Sequence, residues 1–177
     1  MKTLTLLRHA KSGWDDPVAR DFDRPLNARG RRAAIVVGQH LRRETIGFDL
    51  VIASPAVRVA ETLAALWDGY GRTPEVTEDR RLYLASSATL LDIVHALPDA
   101  ADRVLLVGHN PGLEDLALLL ASDTPGEARA RLEEKYPTAT LAVLTVDDGW
   151  AAFAAGTATL AAFTRPRDLD PALGPED

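Results

Sequence analysis

Arg103-Val104-Leu105-Leu106-Val107, followed at once by Gly108-His109-Asn110-Pro111-Gly112 and then by Leu113 to Ala121, is the stretch that decides the fold. The continuous apolar run reads as a strand buried on both faces, the glycine-proline segment breaks it, and a helical pattern follows. The chain therefore passes from strand through turn to helix, and a histidine stands at the turn. Working outward, the same grammar recurs twice. Thr3 to Leu7 is a short apolar strand that ends at Arg8-His9, and Leu50 to Ala53 is a second buried strand that stops at Ser54-Pro55. A helix from Val57 to Trp67 follows that second break, with Val59, Leu63 and Leu66 inward and Arg58 in its first turn.

Between these units, Ala28 to Arg43 is helical, with Ala33, Ala34, Val37 and Leu41 on one stripe and Asn27 as N-cap. Glu75 to Thr77 reads as a short edge strand, and Ser86 to Leu97 as a helix that Pro98 terminates. Asp123 to Pro137 is polar and weakly patterned, a surface excursion with room for some helix. Leu141 to Val146 and Trp150 to Ala154 flank Asp147-Asp148-Gly149, which predicts a hairpin. Strands alternating with helices predict an α/β three-layer sandwich, a central, mostly parallel mixed sheet flanked by helices. The expectation is one domain over residues 1–177, with an extended tail from about residue 167.

Composition narrows the chemistry. The 177 residues are 46% hydrophobic and 26% charged, enough for a core without staples, and there is no cysteine, which removes disulfides, thiolate-metal sites and cysteine nucleophiles. A net charge of −6 argues against nucleic acid, whose binding needs clustered cations. Met1 to Leu7 is too short for a signal core or a membrane span, so the expected location is the cytoplasm, with no membrane partner.

In open α/β sheets ligands bind beyond the carboxyl ends of the strands. That rule selects Arg8-His9, Ser54 to Arg58 and His109-Asn110, which would converge on one crevice. Two arginines and two histidines in an acidic protein suit a compact dianion such as a phosphoryl group, because the guanidinium fork binds its oxygens bidentately. A neutral imidazole can attack phosphorus and split one displacement into two, which makes His9 the candidate nucleophile. Helix starts near Ser12 and Asn110 offer further anion donors. The scheme requires no metal and no cofactor; the two histidines also lack the HxxxH or HxH spacing of zinc ligands.

Leu7-Arg8-His9-Ala10-Lys11-Ser12 resembles the opening signature of the histidine phosphatase superfamily, with Ala10 where the family has glycine. Ser54-Pro55-Ala56-Val57-Arg58-Val59-Ala60-Glu61-Thr62 resembles its second motif and Val107-Gly108-His109-Asn110 its third, in the family's order. Asp23-Arg24-Pro25-Leu26 and Pro166-Arg167-Asp168-Leu169 are most similar to the SixA-type phosphohistidine phosphatase branch. The resemblance implies a phosphoglycerate mutase-like fold and a phosphorylated His9. Arg8, Arg58 and His109 would complete the phosphate pocket, and Ser12 and Asn110 are substrate-binding candidates.

Members that cleave alkyl phosphate esters carry an acidic proton donor, whereas this chain has Tyr83 and Asn110 in the corresponding stretches. An alkoxide leaving group needs that proton; a ring-protonated phosphoimidazole leaves as a neutral amine. The expected substrate is thus phosphohistidine on a protein, such as a histidine phosphotransfer domain or phosphocarrier. The short loops Lys11 to Asp23 and Thr77 to Ser86 leave little material for a lid, as a protein substrate requires. Two alternatives stay open. One is a small-molecule or phosphoserine/threonine phosphomonoesterase that recruits Asp15, Asp16 or Glu78; the other is a non-catalytic phosphate-binding module.

Overall fold

Six strands, β1 (Lys2–Arg8), β2 (Leu50–Ala53), β3 (Val76–Glu78), β4 (Arg103–Gly108), β5 (Leu141–Val146) and β6 (Thr159–Thr164), form one sheet in the order β3-β2-β4-β1-β5-β6. The structure is a computed structural model that describes residues 1–14, 17 and 20–174. β4 lies between β1 and β2 and is parallel to both, β3 is parallel to β2, and β5 and β6 add antiparallel pairs on the far side of β1. The predicted mostly parallel mixed sheet is what the chain builds.

The apolar runs work because each central strand is covered twice. Val104 and Leu106 of β4 join Leu4, Leu6 and Ile52 in one core cluster, while Leu105 and Val107 join Leu7, Val51 and Ala53 in another. The period of two sends alternate side chains to opposite faces. Helices α1 (Ala28–Arg43) and α2 (Val57–Tyr70) cover the second cluster; α3 (Ser87–His95), α4 (Gly112–Leu120) and α5 (Glu127–Glu134) cover the first. Asn27 caps α1 as expected, its side chain accepting from the Gly30 N–H at 2.7 Å. This is the expected three-layer sandwich, with helices on both faces of one mixed sheet.

Three expectations need correction. The hairpin partner of β5 is β6, not Trp150 to Ala154, which is a single 3-10 turn. The Trp150 indole N–H donates to Ala101 O at 3.0 Å, which commits that segment to the α3–β4 loop. The excursion from Asp123 to Pro137 is partly helical as expected, through α5, but it leaves the surface and delivers Tyr136 to the core, where its hydroxyl donates to Leu6 O at 2.6 Å. Finally, the chain beyond residue 166 is not extended. It forms a short helix α6 (Pro166–Leu169) and a 3-10 turn at Pro171–Leu173, and Leu173 is buried in the α1/α2 cluster. Residues 175–177 of the expected tail lie outside the described residues. No helix among the described residues is long and apolar enough to cross a membrane.

Topology places the ligand crevice. The connection leaving β1 runs through α1 on one face, while that leaving β4 runs through α4 on the other, although the two strands are neighbours. A crevice opens where connections part in this way.

Candidate active site

His9 and His109 stand one residue beyond β1 and β4. The parallel register sets Arg8 opposite Gly108, and the His9 N–H donates to Gly108 O at 3.1 Å. The two imidazole rings therefore face each other with centroids 5.3 Å apart. Arg58 enters from the first turn of α2, and its guanidinium joins them: Nε donates to His9 Nε2 and Nη2 to His109 Nδ1, each at 3.3 Å. Arginine has no acceptor, so both of these ring nitrogens must carry lone pairs. The tautomers follow. His9 keeps its proton on Nδ1 and donates it to Ala10 O at 2.7 Å; His109 keeps its proton on Nε2 and donates it to Ser54 Oγ at 2.8 Å.

Both rings are held neutral. Burial is the main cause at His9, with competition from the His109 ring for a second proton and the charges of Arg58 and Arg8 adding to it, and together they override the Ala10 hydrogen bond and push the pKa down to about 3. At His109 burial and then Arg58 lower it to about 4. A neutral imidazole with its lone pair on Nε2 and its other nitrogen anchored is a prepared nucleophile.

Arg8 closes the opposite side, its Nη1 donating to Tyr136 O at 2.8 Å. The same carbonyl accepts from Asn110 Nδ2 at 3.2 Å, and Asn110 Oδ1 accepts the Glu114 N–H at 3.2 Å. Asn110 thus ties the start of α4 to the Tyr136 loop. Ser12 is engaged elsewhere: its hydroxyl accepts from Arg24 Nη2, and its backbone bridges to Leu26. The structure brings together His9, Arg8, Arg58 and His109, and gives Ser12 and Asn110 local structural partners.

Several residues that sequence reasoning missed complete the site. Thr62, one turn after Arg58, accepts the Ala10 N–H at 2.9 Å and donates to Arg58 O at 2.6 Å, so one buried hydroxyl locks the His9 loop to α2. Its place in the second motif, four residues after Arg58, was the available signal. Asp21 had none, being one of several acids before α1. Its Oδ2 accepts from Arg58 Nη2 at 3.0 Å and from the Tyr83 hydroxyl at 2.6 Å, and its Oδ1 accepts from Arg24 Nη1 at 3.0 Å. Desolvation opposes ionisation of Asp21, but the Tyr83 hydrogen bond and the Arg58 charge prevail and hold its pKa at about 2. Tyr83 also sets its ring edge-on against His109, centroids 5.3 Å apart. Of the acids expected as donors, Glu78 is exposed at the end of β3, and Asp15 and Asp16 lie outside the described residues.

Two cavities flank the centre. One, of about 360 Å³, is lined by Arg20, Asp21, Phe22, Pro55, Arg80 and Tyr83. The other, of about 270 Å³, lies beyond Lys11, where Asp168 pairs with Arg165 and Glu134 with Arg167. No group of three His, Cys, Asp or Glu side chains disposed to hold a metal occurs among the described residues.

Residues 4–83 match the family model of the histidine phosphatase superfamily (branch 1). An uncharacterized protein of Mycobacterium tuberculosis is 39% identical over 164 residues, covering 91% of this chain and all of its own length. Together with the site geometry, these matches show that the chain belongs to the histidine phosphatase superfamily. Within it, the solved structures put the chain on the SixA-type branch. A SixA-type protein from Nakamurella multipartitia is 34% identical with a TM-score of 0.80, covering 93% of this chain and 96% of its own. Its counterpart from Agrobacterium tumefaciens is 31% identical with a TM-score of 0.75, covering 93% and 98%.

Proposed function

We propose that this protein hydrolyses phosphohistidine on a cytoplasmic phosphoprotein, a histidine phosphotransfer domain or phosphocarrier, through a phosphorylated His9. The observation that carries this reading is the tautomer of His9: neutral, proton on Nδ1 and held by Ala10 O, lone pair on Nε2 facing Arg58. In the first step the Nε2 lone pair attacks phosphorus as the substrate P–N bond breaks, and the substrate imidazole leaves neutral with the proton it already carries. Ala10 O stabilises the positive charge that the phosphorylated His9 ring acquires. In the second step water attacks phosphorus, the electron pair returns to His9 Nε2, and the water proton leaves on phosphate. Arg8 and Arg58 aim fixed N–H donors at the phosphoryl oxygens, and such donors supply most of the acceleration, while the neutral His109, its own N–H held by Ser54, lines the pocket beside them.

Asp21 supports the phosphoramidate substrate over an alkyl ester. Among the described residues it is the carboxylate that reaches the centre, and with its pKa at about 2 it has no proton to give an alkoxide. The test is phosphate release from a phosphohistidine-bearing protein, by parent and by His9→Ala, with and without chelator. The expected result is chelator-resistant release by the parent that disappears in the variant. Aryl phosphate should also be turned over, and alkyl phosphate roughly 10²- to 10⁴-fold more slowly, the usual worth of a missing general acid. Equal rates on the two esters would replace this reading with a phosphomonoesterase. Phosphate binding with no turnover of any substrate would make the chain a binding module.

A further inference from the structure

The Arg58 guanidinium of the proposed phosphoryl site is engaged by one of the protein's own anions, Asp21. His9 is 8% exposed and Arg58 and His109 are each 3% exposed, so the three side chains at the centre are buried in the resting protein. Asp21 lines a groove together with Arg20, Pro55 and Arg80. Behind it, four hydrogen bonds leave the Arg58 guanidinium, two to Asp21 and one to each histidine. Those bonds engage four of the five guanidinium N–H groups, so a phosphoryl group that binds Arg58 through two of them must replace an acceptor, and the Asp21 carboxylate is the acceptor that carries charge.

We propose that Asp21 is an internal competitor for the phosphoryl group: its carboxylate occupies Arg58 in the resting protein, is displaced as substrate enters from the Arg20–Arg80 groove, and returns to expel the product phosphate. Tyr83 and Arg24 hold the carboxylate in its resting place. A site with two arginines would otherwise retain inorganic phosphate, and the returning carboxylate offsets that affinity by the population rule that a ligand binds more weakly when the competent state is a minority. Asp21 is thus a positioning residue that acts through Arg58. The inference rests on the reading of this centre as the phosphoryl site.

The opposite role, a carboxylate that merely orients Arg58, gives the opposite sign in one experiment. Binding of inorganic phosphate is measured by calorimetry on the full chain, with KM and kcat for an aryl phosphate, for the parent, Asp21→Asn and Tyr83→Phe. Asp21→Asn keeps an acceptor for Arg58 and removes the competing charge. It should bind phosphate roughly 5- to 20-fold tighter and lower KM without raising kcat, since product leaves more slowly. Tyr83→Phe frees the carboxylate of one restraint and should tighten phosphate by a smaller factor. Unchanged or weaker phosphate binding in Asp21→Asn overturns the proposal. Should that variant lose its fold, Tyr83→Phe decides alone by the same criterion. Parent and Asp21→Asn that both fail to bind phosphate would bring down the phosphoryl-site reading as well; a parent that binds phosphate and phosphorylates His9, beside an Asp21→Asn that binds no tighter, would bring down this inference only.

Discussion

At the scale of single residues, His9 and His109 are chemically useful because burial keeps them neutral, and neutrality has a cost in acid. Their pKa values stand at about 3 and about 4 in the folded chain against 6.5 ordinarily. Between pH 6.5 and those values the unfolded chain binds more protons, so stability rises with pH through this window and is lost as pH falls through it. Above pH 6.5 the two states bind protons alike at these sites. Asp21 works lower, between 3.8 and about 2, so above pH 4.5 it stays ionised and leaves the histidines to be read alone. Urea midpoints from pH 7 to 4.5 should therefore fall in the parent, and His9→Gln should flatten the slope by up to about 1.4 kcal/mol per pH unit, the limit for one proton. An identical slope in the two proteins would mean that His9 titrates alike in the folded and unfolded chain. The four pocket residues were legible in the sequence because each directly follows a strand or opens a helix. Asp21 was not, since nothing local separates it from Asp23, and only the fold of the loop against Tyr83 and Arg58 selects it.

Elements set how finely the pocket is held, and the contact that matters is α1 against α2. A Cβ built on Gly38 of α1 would stand 2.0 Å from Leu66 O, and one on Gly69 of α2 would stand 2.1 Å from Ile35 O. The two backbones thus approach through reciprocal gaps that admit hydrogen alone. Because α2 also carries Arg58 and Thr62, the same contact fixes the guanidinium against His9. Gly38→Ala should cost about 3 kcal/mol, since backbone cannot rotate away as a side chain would, and phosphatase activity under native conditions should fall with it. Gly149→Ala, with open space around it, should stay within about 0.5 kcal/mol in the same urea titration. Parity between the two variants would show that the helices separate freely. Sequence periodicity foresaw both helices and their inward stripes, with α2 running three residues past the expected end at Trp67. It could not foresee the approach distance, which depends on how two distant glycines align.

Across the whole molecule, what the sequence revealed was what is local: buried strands, the helices between them, and the rule that puts a crevice at their carboxyl ends. What it concealed was set by distant partners. Trp150 reads as strand until Ala101 claims its indole, Tyr136 reads as surface until Leu6 accepts its hydroxyl, and the chain after Pro166 reads as tail until α1 gives it a surface. That last segment is a polar stretch whose one deeply buried apolar anchor is Leu173, at 7% exposure, with Arg32 of α1 reaching Asp170 at 2.8 Å. The ion pair is partly exposed and contributes little on its own, so the apolar anchor should carry the attachment. Leu173→Ala is accordingly expected to cost about 2 kcal/mol, near the low end for a buried leucine because the site lies at the rim of the cluster. In a chain of this size that corresponds to a fall in Tm of roughly 4 to 8 °C. Arg32→Ala should move Tm by less than about 2 °C. If Leu173→Ala melts with the parent, the segment does not belong to the cooperative unit and the α1 face is stable without it. If it melts early with one sharp transition, the sheet, its five covering helices and the closing turn at Pro171–Leu173 unfold together.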